Sequence, residues 1–250
     1  LETPTHRMPD THDWLDIDYR TLFCLHPDRR IERENDPDRS PAPRFWLGRC
    51  ADGNLAGVRA DVPPAVADAL ARLTSSEPPL AGRMQPAHLE RYLTLLAPVP
   101  HWNIGLVYPL PHALDFDTDA RVALIDGDSD AGRHLLHALS ARGMPGGLFS
   151  MGFRSVADLW APWCAAVVDG EVASVAFAAR LSDVGAELGL ATAPAFRGRG
   201  LAAAVTAAWS RLPSLQTRTL FYSTDSDNRA SQRVASRLGL TLRGTTLRVG

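Results

Sequence analysis

The stretch "TAPAFRGRGLAAAV", residues 192–205, sets two arginines and two glycines between the end of an extended run and an alanine-rich run of helix formers. A loop passing from a strand into a helix through Gly198 and Gly200 leaves backbone N–H groups without intrahelical partners, where the helix macrodipole also favours negative charge. Glycine matters there because a Cβ would hold an anion away from the backbone. With Arg197 and Arg199 as charged donors, the loop has what a pyrophosphate needs. A plain surface turn that starts a helix satisfies the same short pattern, so the surrounding sequence must decide.

Upstream of the loop, "RVALIDG" reads as a strand and "DAGRHLLHALSARG" as a helix ended by Gly143. "LWAPWCAAVVDGEVASVAFAARL" reads as two strands joined at Asp169-Gly170, and "GAELGLAT" as the third strand of that meander. Downstream come a helix, the strand "RTLFYST" (218–224), a helix from Asn228 to Leu238 stopped by Gly239, and a last strand in "LTLRGTTLRV". The predicted order is β-α-βββ-α-β-α-β.

Three phosphate loops compete for the stretch. A Walker loop needs G-x-x-x-x-G-K-[ST], and the chain contains no lysine. The dinucleotide fingerprint fits formally, because Gly198-x-Gly200-x-x-Ala203 satisfies G-x-G-x-x-A and Asp225 stands where a ribose acceptor belongs. Against a nicotinamide-dinucleotide binder, Pro194 and Arg197 lengthen the turn before the first glycine, and few residues follow Asp225 for further βα units. The strand feeding the loop also ends an antiparallel meander and lacks the Val/Ile-rich run of a strand buried on both faces.

In the third reading, Arg197, Gly200 and Ala202 fill Q/R-x-x-G-x-G/A, and "PAFRGRGLA" resembles the acetyl-CoA pyrophosphate loop of the GNAT N-acetyltransferase superfamily. "DSDNRASQRVASRLGL" (225–240) resembles that superfamily's second cofactor segment, N-x-x-A/S followed by a helix ending in L-G-F/L. The resemblance implies an α/β (α+β) fold with a mixed, largely antiparallel GNAT-type sheet and flanking helices over residues 115–250. A smaller N-terminal α/β segment of unknown role, 1–114, precedes it. The resemblance also implies acetyl-CoA as cofactor and direct acetyl transfer to the primary amine of a small-molecule or amino-acid-like acceptor.

By the same resemblance, the pantetheine arm pairs with Leu190, Ala191 and Thr192, where Pro194 stops further strand pairing. The pyrophosphate sits on the amides of Gly198, Arg199, Gly200, Leu201 and Ala202 with Arg197 as side-chain donor. Asn228 and Ser231 contact the cofactor arm, and Asn228 is equally suited to cap the helix it begins. Glu187, an acid on the strand leading to the site, is the candidate general base, although a strand carboxylate also commonly faces solvent. Many family members place a tyrosine seven residues after the asparagine to protonate the leaving thiolate, and here that position is Ala235. Tyr222 is the candidate substitute acid, with Ser231 or water as others, and a core aromatic is its alternative role. The departure at Ala235 leaves a catalytically weak acyl-CoA-binding module open.

Composition bounds the remainder. A chain that is 45% hydrophobic and 22% charged can bury a core, and a net charge of -2 gives no global basic field for nucleic acid or membrane surfaces. Cys24, Cys50 and Cys164 are odd in number and far apart with no C-x-x-C pair, which fits a reducing cytoplasm. "LETPTHRMPDTHDWLDIDYR" shows no apolar export segment, and no uncharged apolar run approaches membrane-spanning length. His134 and His137 lie three apart on a predicted helix without a third ligand, so no metal site is expected. Trp160, Trp163, His101, Trp102 and Tyr108 are either core or acceptor-pocket residues.

In the first half, "RRIERENDPDRSPAP" (29–43) reads as a solvated loop whose prolines forbid regular structure, and residues 1–43 as an arm or edge. "RFWLGRC" and "LAGVRAD" flank an Asp-Gly hairpin turn, followed by a helix over "VPPAVADALARL" with Asp61 as N-cap. A further helix is predicted from Pro86 to Leu96, then a strand at 103–108.

Overall fold

The computed structural model describes residues 11–98 and 101–250; the polar N-terminal decapeptide lies outside them. The described chain runs α1 (Thr11–Leu22), β1 (Phe23–Leu25), β2 (Ile31–Glu34), β3 (Phe45–Cys50), β4 (Gly53–Val58), α2 (Pro64–Ser75), α3 (Leu89–Leu96) and β5 (Trp102–Pro109). It continues through β6 (Val122–Asp126), α4 (Asp130–Arg142), α5 (Gly146–Ser150), β7 (Trp163–Val168), β8 (Glu171–Leu181), β9 (Gly185–Thr192), α6 (Leu201–Ser210), β10 (Thr219–Asp225), α7 (Arg229–Arg237) and β11 (Gly244–Val249).

Every element predicted from residue 120 onward forms. Nine strands make one sheet in the order β4-β3-β11-β5-β10-β9-β8-β7-β6, with β1 and β2 pairing apart from it. β5 sits between β10 and β11, and β11 pairs on its other side with β3, so the sheet continues from residues before 115 into those after it. Strand alternation sorts the helices onto two layers. Leu220 and Tyr222 of β10 share a buried cluster with Val205 and Trp209 of α6, whereas Phe221 between them meets Trp14 of α1 with ring centroids 5.6 Å apart. In the first half, Phe45, Leu47 and Leu247 pack with Leu70 of α2 and Tyr92 of α3.

Two expectations for the first half are corrected. Residues 11–34 are not an irregular arm: they form α1 and the β1–β2 hairpin. The buried positions Trp14, Leu15, Asp18, Tyr19 and Leu22 recur at helical spacing, but two charged or polar members, Asp18 and Thr21, sit on that buried face and hide the apolar stripe. Asp61 does not cap α2; its carboxylate accepts from Arg59 Nε at 2.8 Å, and the cap position is Pro63, whose neighbour Pro64 opens the first turn.

The approach of α1 to the sheet depends on Gly185. A Cβ there would stand 2.1 Å from Thr21 Oγ1, so only glycine lets the helix come this close to β9. The helix is then tied to the β8–β9 turn, where Thr21 Oγ1 and Ser182 Oγ lie 3.3 Å apart and Asn35 Nδ2 donates to the carbonyls of Thr21 and Leu181.

Candidate functional site

All neighbouring strands of the large sheet are antiparallel except β9 and β10, which run parallel. Their pairing stops at Phe221 opposite Glu187. From there β9 stays paired with β8 as far as Thr192, and β10 with β5 as far as Asp225. The two strands therefore fork, and the inner edges of Leu188–Thr192 and Tyr222–Asp225 offer backbone groups to whatever enters the fork.

One cavity, of about 1050 Å³, opens beyond the fork, bounded by the end of β9, the loop into α6, the first turn of α6 and one side of α7. Of the residues expected to hold a cofactor, Leu190, Ala191, Thr192, Arg197, Gly198, Gly200, Leu201, Ala202, Asn228 and Ser231 all line it. Arg199 does not: its guanidinium lies over the Phe196 ring, 5.4 Å from the centroid, and its side chain lines a separate recess with Asp119. The loop is shaped by Gly200, the N-cap of α6, whose φ of 83° is left-handed. The first-turn amides of α6 have no intrahelical acceptors, and Leu201, Ala202 and Ala203 line the cavity. Arg197 is tethered by its Nε, which donates to the Thr192 carbonyl at 3.3 Å. Gly200→Ala is expected to cost about 1–2 kcal/mol of stability through the left-handed backbone, as read by urea unfolding.

The sequence reading missed two further cations of this cavity, Arg233 and Arg237, one helical turn apart on α7. Arg237 Nη1 comes within 3.1 Å of where a Gly200 Cβ would stand, so its charge lies against the loop. Their spacing from Asn228 was the available signal. Asn228 caps α7, its Oδ1 accepting from Ser231 N at 3.1 Å, and still lines the cavity.

A second cavity of about 500 Å³ lies on the α1 side and shares Leu190, Asn228 and Ser231 with the first. Glu187, 8% exposed, lines it, its Oε2 accepting from Arg180 Nη1 at 2.9 Å. Arg180 also donates from Nε to Glu34 at 2.9 Å, and Arg248 pairs with the other oxygen of Glu34. Burial works against the Arg180 charge, yet Glu187 and Glu34 outweigh it and hold the guanidinium firmly protonated. Asp18 of α1 completes the wall, and its carboxyl is held well above the usual range by burial and by the Glu187 charge, with Arg248 and Arg180 opposing. Neither Asp18 nor the two arginines were singled out in sequence, because nothing local marks residues 18, 180 and 248 as neighbours.

Tyr222 is 2% exposed, and its ring meets Tyr108 edge-on at 6.1 Å, so both are core aromatics. Its hydroxyl nevertheless leaves the core: it lies 2.8 Å from Ser231 Oγ and 3.0 Å from the Ser231 carbonyl. Burial pushes the phenol up to about 12, partly offset by the bond to Ser231. Ala235 is buried in the same cluster. Trp163 is core, Trp160 packs on Phe177, and Trp102 and His101 are exposed. His134 and His137 are exposed on α4, and no group of three metal-ligating side chains occurs among the described residues. Among those residues no helix is long and apolar enough to cross a membrane.

A largely antiparallel sheet forked at one parallel pair, with a helix N-terminus facing the fork, is a GNAT-type fold. Residues 164–246 match the family model described as GNAT acetyltransferase. Similar solved structures include a GCN5-related N-acetyltransferase from Kribbella flavida, 16% identical, with 66% of this chain and 63% of that one covered and a TM-score of 0.43. Others are a GNAT-family acetyltransferase from Colwellia psychrerythraea (16% identity, 85% and 83% covered, TM-score 0.42) and a GCN5-related N-acetyltransferase from Sphaerobacter thermophilus (14% identity, 86% and 78% covered, TM-score 0.45). Against four of the matched structures, the Kribbella one among them, the chain spans 57% to 65% of their length. A search of curated proteins found no match.

Proposed function

We propose that the chain is an acetyl-CoA-dependent N-acetyltransferase that transfers an acetyl group directly to the primary amine of a small molecule. The observation that carries this is the meeting of two cavities at the β9–β10 fork, one edged by cationic side chains and helix-start amides, the other by buried carboxylates. The first fits a phosphate-bearing cofactor: Arg197, Arg233 and Arg237 supply charge, the left-handed Gly200 bares the loop amides, and the free edge of β9 can pair with an amide-containing arm.

Acetyl-CoA, when bound, supplies an acyl carbon activated as a thioester. The chain's residues then act on the amine and its surroundings. Glu187, at the base of the fork, takes the proton that the ammonium must lose before its nitrogen can attack. Arg180 holds the Glu187 carboxylate in place. Backbone N–H on the free edge of β9 stabilises developing negative charge on the carbonyl oxygen. Ser231, hydrogen-bonded to Tyr222, offers a proton relay on the wall common to both cavities, in place of the tyrosine that Ala235 replaces. No covalent intermediate on the protein is required, because binding both partners at one fork makes the attack effectively intramolecular.

Ligand-dependent thermal unfolding tests the cofactor. At 100 times its Kd, acetyl-CoA or CoA is expected to stabilise the chain by about 2.7 kcal/mol, with no effect of NAD. A rise with NAD and none with CoA would sink the reading. Binding of acetyl-CoA with no release of CoA on adding amines would favour the binding-module alternative raised by Ala235.

A further inference from the structure

Asp18 is a buried carboxyl group with no hydrogen-bond partner among the described residues. It is 1% exposed, and neither of its oxygens, both shut off from solvent, accepts a hydrogen bond from any described residue. Buried polar groups are almost always paired, so one left unpaired on the wall of a cavity points to a missing partner. Its position is fixed, because α1 is seated on Gly185 and tied through Thr21 to the β8–β9 turn.

The charges around it define the partner. The cations of this cavity, Arg180 and Arg248, are both engaged by Glu34, and Arg180 also by Glu187. Asp18 and the exposed Asp225, whose Oδ1 accepts from Asn103 Nδ2 at 2.5 Å, are carboxylates left over. An acceptor bearing its own carboxylate would meet no uncommitted cation there. A cationic amine would meet Asp18 beside Glu187.

Resting on the acetyl-transfer reading of this same site, we propose that Asp18 receives the acceptor's ammonium group, and that the acceptor is a cationic alkyl amine with no carboxylate beside the reacting nitrogen, such as a short diamine. Asp18 holds and orients the nitrogen; one proton leaves the ammonium for Glu187, the N–C bond forms, and as the C–S bond breaks the second proton lost by the nitrogen passes to the leaving thiolate. The N-terminal helix thereby supplies acceptor recognition to a cofactor site built from the C-terminal half.

The test uses the full chain and Asp18→Asn, with Asp18→Ser as a second variant of smaller volume. Turnover is measured with 1,4-diaminobutane, alanine and aniline, and diamine and acetyl-CoA binding by calorimetry. The wild type is expected to favour the diamine in kcat/KM. Asp18→Asn is expected to raise its KM at least 30-fold while acetyl-CoA binding changes less than 2-fold. Stability gives an independent readout. The folded-state Asp18 carboxyl, facing Glu187 of β9, Arg180 of β8 and Arg248 of β11, titrates above its unfolded value of about 4. The folded state thus binds the extra proton, and wild-type stability falls as pH rises through that window, a loss the Asn variant lacks. A purely structural Asp18 would instead make the variant melt lower and lose acetyl-CoA as well. That result, an unchanged diamine KM, or a wild-type preference for alanine or aniline would overturn the proposal. If the wild type binds no acetyl-CoA, the acetyl-transfer reading fails by itself, and calorimetric binding of the diamine to wild type but not to Asp18→Asn still decides Asp18.

Discussion

Replacing Glu187 by Gln is expected to lower kcat by about 10²–10⁴-fold, the usual contribution of a positioned general base, while the Kd for acetyl-CoA stays nearly unchanged. The split follows from placement. Glu187 lines the smaller cavity, on the α1 side, and is absent from the wall of the larger one, where the cofactor is proposed to sit. Gln keeps the volume and an oxygen that Arg180 can still reach, and Arg180 retains Glu34, so the fold should lose little. The loss should appear in kcat with the acceptor saturating. Unchanged turnover would remove Glu187 from the proton path.

The second large effect lies away from the site. Glu77→Ala is expected to cost about 3–5 kcal/mol of stability, because it strands the Arg49 charge in the core. Glu77 and Arg49 lie 3.6 Å apart, with side chains 0% and 3% exposed. Glu77 also accepts from the amides of Ala87 at 2.5 Å and His88 at 3.0 Å, and from the Tyr92 hydroxyl at 3.4 Å. Arg49 donates to the carbonyls of Pro78, Arg83 and Met84, so the pair organises the whole connection between α2 and α3. Burial pulls the Arg49 guanidinium down, with Glu77 holding it up, so removing Glu77 leaves only the unfavourable part. Denaturant unfolding measures the loss, and the double change Arg49→Met, Glu77→Leu should recover most of it, since an apolar pair needs no compensation. A single-variant cost under about 1 kcal/mol would show that water reaches the pair.

Residues 120–250 were legible because their signals are local. The Asp169-Gly170 turn joins β7 to β8, Gly143 ends α4 and Gly239 follows α7, each where the sequence places it. The loop at Gly198 and Gly200 declares its chemistry by the same means, since backbone conformation and helix-start amides depend on adjacent residues. Even so, the helix begins at Leu201, after a short 3₁₀ turn over Pro194–Phe196 that Pro194 starts.

The acceptor side was not legible. α1 was passed over because its buried face carries Asp18 and Thr21, the residues that serve the cavity and the turn, and a polar residue on that face reads as solvent exposure. Glu187 stood out as an acid near the loop, but its link through Arg180 to Glu34, and through Glu34 to Arg248, joins the β8–β9 hairpin to β2 and β11, which are distant in sequence. Sequence by itself determined the strand and helix order of the second half and the glycine turn that opens α6, because period, turn chemistry and glycine dihedrals act within a few residues. Only the tertiary structure decided that β9 and β10 fork, that β5 and β11 carry the sheet into the first half, and that the buried Asp18 and Glu187 come together. Those features depend on which strands pair and on what burial does to charges brought together from afar, and short stretches of sequence do not encode either one.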